Sequence, residues 1–314
     1  MSIHVHGTIV TQYGVAANNR GETEGNMTTL QKILWKQLTH TTVSAEAIRY
    51  ALRLQWQHRF AESQDPLFET NRVWDPESGD AGDFRITDQS FSAERFIDDD
   101  ALGYMDAKAP KEEANVEEQV DKTDKSAKKK SGRVKGSTTA RRGPLEVARA
   151  VSLHPFNGET TFNAKGGQKG RTSIYATEVH ATAYQYSFSV TPAELRVPRR
   201  IEAILSAFSS LDAVGGNHGR FLYDFSPALC IYRLTADPAP RILYVADAVE
   251  SQGGAVSLVV LVRRIEAGDI EASEVTVGGE LLSEVDAQRL RGLGAHVFGG
   301  VKAATEDALQ RLKG

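Results

Sequence analysis

Residues Gly7–Arg53 read GTIVTQYGVAANNRGETEGNMTTLQKILWKQLTHTTVSAEAIRYALR, and the way this stretch divides decides the fold. Its first part continues a strand of about Ser2–Thr11, with alternation around His4, His6, Ile9 and Val10. Its last part is a helix opening at Ser44, a good N-cap, with Ala45, Ile48, Leu52 and Trp56 as an apolar stripe. Arg49 and Arg53, four residues apart, are expected on one exposed edge of that helix. Between the two lies GVAANNRGETEGN, Gly14–Asn26, polar and punctuated by Gly14, Gly21 and Gly25. It reads either as a solvated connection or as a place where an anion docks on amides and a guanidinium. Periodicity alone leaves MTTLQKILWKQLTHTTV open between a helix and a hairpin.

Outward from this stretch, residues 58–106 are aromatic-flecked and acidic without clean periodicity, and read as an irregular insertion. Residues 107–131 hold almost no apolar side chains and read as a charged linker. EVHATAYQYSFSV, Glu178–Val190, alternates as a strand, and Arg199–Val214 is predicted as a helix begun by Pro198 and ended by Gly215-Gly216. RFLYDF, LCIYRL, RILYVADAV and AVSLVVLVRRI are predicted as strands, and Glu284–Leu293 and Val301–Leu312 as helices. Strand, helix, insertion, strand, helix, strand is the order of an α+β, ferredoxin-like sandwich with long excursions.

At 314 residues, with 40% hydrophobic and 25% charged side chains, the chain can bury a sizeable core. One cysteine, Cys230, excludes an internal disulfide framework and suits a reducing, cytoplasmic setting; within its apolar strand it reads as a packed small hydrophobe. No signal peptide is expected from MSIHVHGTIV, and the longest apolar run, Ala255–Val262 broken by Ser257, is too short to span a bilayer. The net charge of −4 hides a segregation. Residues 61–121 hold 5 Lys/Arg against 18 Asp/Glu, whereas residues 122–171 hold 13 against 3. Such a chain presents a basic face to one partner and an acidic face elsewhere.

The basic segment Lys128–Arg142, KKKSGRVKGSTTARR, suits a loop lying along phosphates, although Lys128–Lys130 read rather as part of a charged disordered loop. Phe156–Arg171 adds Phe156 and Phe162 to positive charge, a combination that can track a backbone and wedge between bases. GGNHGR, Gly215–Arg220, places Asn217, His218 and Arg220 at a glycine-rich corner. Enzymatic readings are weaker. His4 and His6 lack a third ligand in local sequence, and Asp98–Asp100 lacks calcium-loop spacing and reads as a solvated acidic turn. No nucleophile elbow, zinc motif or cofactor fingerprint is present.

Together with EVARAVSLHPFNGETTFN, EVHATAYQYSFSV and AVGGNHGRFLYDFSP, the stretch Gly7–Arg53 resembles the DevR-type autoregulator family. These are the backbone (Cas-seven) subunits of type I-B CRISPR Cascade complexes, in the RAMP superfamily. The resemblance implies a modified ferredoxin-like (RRM-like) palm, residues 1–57 and 132–314, with a fingers insertion at 58–131 and a β-hairpin thumb near 155–178. It turns LQKILWK and HTTVS toward a hairpin. It implies guide-RNA contacts from Asn18, Asn19, Arg20, Gly21, Lys32, Lys36, Ser44, Arg49, Arg53, Arg133, Lys135, Gly215, Gly216, Asn217, His218 and Arg220. Phe156, Phe162, Lys165, Lys169 and Arg171 would belong to the thumb. Implied partners are the CRISPR guide RNA, the target DNA strand, further copies head to tail, and the 5′-handle-binding, large, small and repeat-processing Cascade subunits. No membrane, metal or cofactor is implied. RNA-cleaving type III relatives place an aspartate in a target-facing loop, whereas the opening loop here has only Glu22 and Glu24, so the resemblance implies no catalysis. The competing readings are a metal-dependent nuclease using Asp98–Asp100 or Glu22, and an autoregulator of duplex DNA, for which no recognition helix is evident.

Overall fold

The computed structural model describes residues 2–18, 20–78, 83–107, 138–164, 174–216, 221–249 and 255–313. Its main sheet is built on β1, His4–Thr11, buried along its whole length from Val5. Strands β2, Lys32–Trp35, and β3, Leu38–Val43, form a hairpin whose two turn residues, Lys36 and Gln37, have φ of 48° and 68°. Left-handed backbone at both central positions matches the twist of a tight hairpin, which settles the ambiguous stretch as strand. Helix α1, Ala45–Ser63, follows, with the Ser44 hydroxyl accepting from the Ala47 amide at 3.2 Å. Ile48, Ala51, Leu52 and Trp56 are its buried face. Next come α2, Ile97–Ala101, then β4, Ala150–Ser152, and β5, Tyr184–Val190. The chain continues through α3, Arg200–Phe208, β6, Pro227–Thr235, and α4, Val259–Glu266. It closes with β7, Val275–Gly279, α5, Glu284–Leu293, β8, His296–Phe298, and α6, Val301–Arg311.

The strand order is β8-β7-β6-β1-β5-β4-β3-β2, antiparallel except between β7 and β8, with Glu146–Val147 pairing beside β5. β1 therefore sits between β5 and β6, with α1 and α3 as the two crossovers. Alternation along β1 and β6 sorts the core into two layers. Val5, Ile9, Cys230 and Tyr232 pack with α1, α3 and α6, and Val10, Leu229 and Ile231 pack with α4 and α5. Gly7 lies opposite Phe188, and a Cβ there would collide with the Phe188 ring. That ring stacks on Phe208 at 4.0 Å between centroids, locking α3 onto the sheet. Cys230 is fully buried, and burial pushes its thiol up to about 12, as a packed hydrophobe requires.

Several predicted elements differ. AVSLVVLVRRI holds only a two-residue strand, Val256–Ser257, and then α4. Its buried residues Leu258, Leu261, Val262 and Ile265 have helical spacing that the β-branched run disguised. The helix expected to Val214 ends at Phe208, where the Ser209 and Ser210 hydroxyls donate to the Ser206 carbonyl. The described part of RFLYDF, residues 221–225, joins no sheet; the Phe225 amide instead donates to Asp212 O. RILYVADAV is mostly a turn, with φ of 53° at Arg241 and 51° at Tyr244, and only Asp247–Ala248 pairs.

The insertion is ordered where it is described. Hairpins Arg72–Asp75 with Asp83–Ile86 and Gly103–Ala107 with Thr138–Arg142 flank α2. The opening loop is largely strand too. Gly14–Ala16 pairs with His180–Thr182, and Arg20–Glu24 pairs with Met27–Leu30 across a turn at Gly25, φ 60°. Met27–Leu30 then runs parallel to Ile174–Glu178, which pairs with Thr160–Ala164. The segment after β1 and the hairpin 160–178 thus form one small sheet, which no local pattern announces.

Candidate nucleic-acid interface

Ser44 fixes where α1 begins, and the helical spacing then points Arg49 and Arg53 to one side. That side is a half-buried wall, where a fully solvated edge was expected. Arg49 and Arg53 line a cavity of about 590 Å³ with Arg72, Arg141 and Arg142. The remaining wall comes from Leu102–Met105 and Gly143, Leu145 and Val147, with Glu146 the one acid lining it. Two glycines let the walls meet. A Cβ at Gly143 would collide with Ala101 O, and Gly103 holds φ 74° against the backbone of Arg141 and Gly143.

Each arginine is oriented. Arg49 Nη2 donates to Leu102 O at 2.7 Å. Arg53 Nε lies 3.7 Å from Asp98, and Arg72 Nη1 lies 3.6 Å from Asp98 and 3.3 Å from Asp99. Arg141 Nη2 lies 2.8 Å from Asp100, and Arg142 pairs with Glu146. Burial, with repulsion from Arg72 and Arg49, pushes Arg53 down to about 10 against the pull of Asp98 and Asp99. Burial likewise lowers Arg49. Both remain cations at neutral pH, partly desolvated, where an anion is held more strongly than in bulk water.

Asp98, Asp99 and Asp100 are not a solvated turn: all three are fully buried in α2. Asp98 accepts from the amides of Asn71 at 2.7 Å and Arg72 at 3.0 Å. Asp99 accepts from Asn71 Nδ2 at 2.8 Å, and burial beside Asp98 raises it. Asp100 accepts from Arg200 Nη1 at 2.8 Å and from the amides of Arg196 and Val197. Their oxygens are committed to protein donors. Among the described residues no group of three His, Cys, Asp or Glu is placed to hold a metal ion.

The other residues singled out from sequence divide. Asn18 is buried, and its Nδ2 donates to Val214 O at 2.8 Å, so the exit of β1 is tied to the Gly215-Gly216 corner. Lys32 pairs with Glu178 at 2.6 Å and lies 4.6 Å from the centre of the Phe156 ring. Lys36 pairs with Asp247 at 2.7 Å. Phe162, on the strand Thr160–Ala164, is 77% exposed. Arg20 and Gly21 lie on the strand Arg20–Glu24. Asn19, Arg133, Lys135, Lys165, Lys169, Arg171, Asn217, His218 and Arg220 lie outside the described residues. Arg72 carries no local signal in the sequence, whereas Arg141 and Arg142 close the basic run Lys128–Arg142.

The chain is 42% identical over 329 residues to a "CRISPR-associated protein Cas7/Cst2/DevR" of Myxococcus xanthus (strain DK1622), covering 100% of this chain and 99% of that protein. It belongs to the Cas7/Cst2/DevR family. The fold of this Cas7/Cst2/DevR chain agrees with solved structures. It matches a chain of a "CRISPR RNA-guided surveillance complex" with a TM-score of 0.53, at 14% identity, over 98% of this chain and 100% of that one. It matches a chain of a "CRISPR RNA-guided surveillance complex, pre-nicking" with a TM-score of 0.55, at 12% identity and the same coverage. No family model matches the sequence.

In this Cas7/Cst2/DevR chain the root of the hairpin 160–178 rests on a buried histidine. His180 Nε2 donates to Pro155 O at 3.1 Å, so Nδ1, 2.8 Å from Thr41 Oγ1, is the acceptor of a neutral ring. Burial pushes His180 down to about 4, helped by neighbouring His154 and His40.

Proposed function

We propose that the chain is a guide-RNA-binding backbone subunit of a CRISPR surveillance complex, gripping guide phosphates in the arginine cavity. The observation that carries the reading is five arginines from three elements on one partly desolvated cavity. Guanidinium forks match phosphate oxygens, and a fork engaged on phosphate carries no sequence information. A repeating subunit must do this, because a variable spacer leaves sequence to base pairing with target DNA. Arg49 and Arg53, the strand Arg20–Glu24 and the Gly215-Gly216 corner form the receiving side, with buried Asn18 bracing that corner and Ser44 setting the start of α1; guide contacts are proposed as well for Arg133, Lys135, Asn217, His218 and Arg220. Lys32 is spent on its partly buried pair with Glu178, and Lys36 forms an exposed pair with Asp247.

In this reading the main sheet with α1 and α3 is a ferredoxin-like palm, residues 58–131 the fingers, and the hairpin 160–178 the thumb. Exposed Phe162 suits displacement of a base, and guide contacts are proposed for Lys165, Lys169 and Arg171. Copies assemble head to tail as a type I-B filament, a heterologous, non-closing contact, with the remaining Cascade subunits at its ends and along it. The acidic block 61–121 of one copy facing basic segments of the next would account for the charge segregation. The subunit holds RNA without cutting it and works in the cytoplasm; no described helix is long and apolar enough to cross a membrane.

Binding of single-stranded RNAs of unrelated sequence, and of duplex DNA, with and without divalent metal, tests this. Similar affinity for the RNAs, weaker binding of duplex and intact RNA after incubation are expected. Duplex preference would favour an autoregulator, and metal-dependent cleavage a nuclease.

A further inference from the structure

Three of the five cavity arginines are held from behind by consecutive carboxylates of one short buried helix. Asp98 faces Arg53 and Arg72, Asp99 faces Arg72, and Asp100 faces Arg141. The carboxylates are themselves fixed by main-chain amides, of Asn71 and Arg72 for Asp98 and of Arg196 and Val197 for Asp100. Asp100 also holds Arg200, only 2% exposed and bonded to the carbonyls of Ala93, Glu94 and Arg95. One acid therefore joins α3, the insertion and the cavity wall.

Buried ion pairs are a poor route to stability, since well-packed apolar residues of similar volume often serve as well. Three in a row, all directed at one cavity, call for another reason. We propose that Asp98, Asp99 and Asp100 are positioning residues for guide binding, setting the geometry in which Arg53, Arg72 and Arg141 meet a phosphate. The inference rests on the proposed function.

Two physical effects support it. Free arginines carry large rotamer entropy, which must be given up when RNA binds unless the protein has already removed it. Clustered guanidiniums also repel one another, and the carboxylates offset that repulsion in the RNA-free protein. Arg53 Nε is buried, lies 3.7 Å from Asp98 and has no hydrogen-bond partner among the described residues, so it is the ion pair that orients this side chain. The carboxylates lower the cavity's net positive charge, so a pure field effect and a positioning effect predict opposite results when one is neutralised.

The test is fluorescence anisotropy of guide-length RNA across salt concentrations, with wild type, Asp98→Asn, Arg53→Ala and the double variant. Asparagine keeps the shape and one acceptor oxygen, enough for the amide of Asn71 or of Arg72 but not both. Positioning predicts that Asp98→Asn weakens binding roughly tenfold although it adds a positive charge, and that the salt slope shrinks by about 1. In the Arg53→Ala background the same change should cost much less, a coupling that general destabilisation would not produce. Unchanged or tighter binding with a steeper slope, or equal loss in both backgrounds, overturns the proposal. If Asp98→Asn does not fold, Asp99→Asn against Arg72→Ala gives the same cycle, with the same outcomes for and against. Wild type that fails to bind RNA at all would retire the functional reading itself, a result separable from wild-type binding that ignores Asp98 and Asp99.

Discussion

Lys32 Nζ lies 2.6 Å from Glu178 Oε2, and the same oxygen accepts the Leu30 amide at 2.7 Å. This joins the segment after β1 to the last residue of the hairpin 160–178, with the Phe156 ring against the ammonium. A lysine that reads from sequence as a phosphate contact is thus placed to hold two strands together.

Lys32→Met should therefore act on stability. A loss of about 1 kcal/mol is expected in urea unfolding, the upper range for a partly exposed pair. The salt dependence of RNA binding should be unchanged, and a slope reduced by about 1 would return Lys32 to the guide.

Arg49→Ala should weaken binding of guide-length RNA about tenfold and by the same factor for unrelated sequences, because the contact proposed for its guanidinium is to phosphate. The salt slope should fall by about 1. Anisotropy with two scrambled guides checks this; a loss confined to one sequence would place a base at Arg49.

Asp100→Ala should destabilise by about 3–5 kcal/mol, because it strands Arg200 and Arg141 as uncompensated charges. Asp100→Asn, which keeps one of the two acceptor oxygens that the Arg196 and Val197 amides use, should lose less. Equal losses in chemical unfolding would show that the charges, and not the amide bonds, matter at this site.

Gly7→Ala should cost about 1–3 kcal/mol, since the new methyl group meets the Phe188 ring, which is clamped by Phe208. The effect should largely vanish in the Phe188→Leu background, where the ring is gone. Thermal unfolding of the single and double variants measures it.

His180 gives a pH signature. Its folded value of about 4 lies below the ordinary imidazole value of 6.5, so the unfolded chain takes up the extra proton first. Stability is full above about pH 6.5 and falls as pH drops toward 4, where the folded ring protonates as well. His6 is lowered in the same direction, so the wild-type slope is a sum. His180→Gln should flatten part of it; an unaltered slope would mean that His180 titrates normally.

Much of the fold was legible because its signals are local. The Ser44 cap and the stripe Ile48, Leu52 and Trp56 announce α1, and the alternation of Tyr184–Val190 announces the strand beside β1. α4 was hidden because Val259, Val260 and Val262 give a strand-like composition to a helix whose buried face emerges only when Leu258, Leu261 and Ile265 are seen together. The candidate site was legible in halves. Arg49 and Arg53 share a helix face, but Arg72 has no local pattern, and the acids that hold these side chains look solvated until their partners arrive from Asn71, Arg141 and Arg200. Charge in a sequence has no address until the chain folds.

The central claim is that the arginine cavity holds a CRISPR guide, and the most direct measurement is to sequence the RNA that co-purifies with the protein from its host. Wild type is predicted to carry repeat-derived RNA, and Arg49→Ala/Arg53→Ala, folded and equally expressed, to carry far less. Recovery of no repeat-derived RNA, or undiminished recovery with the double variant, would contradict the account.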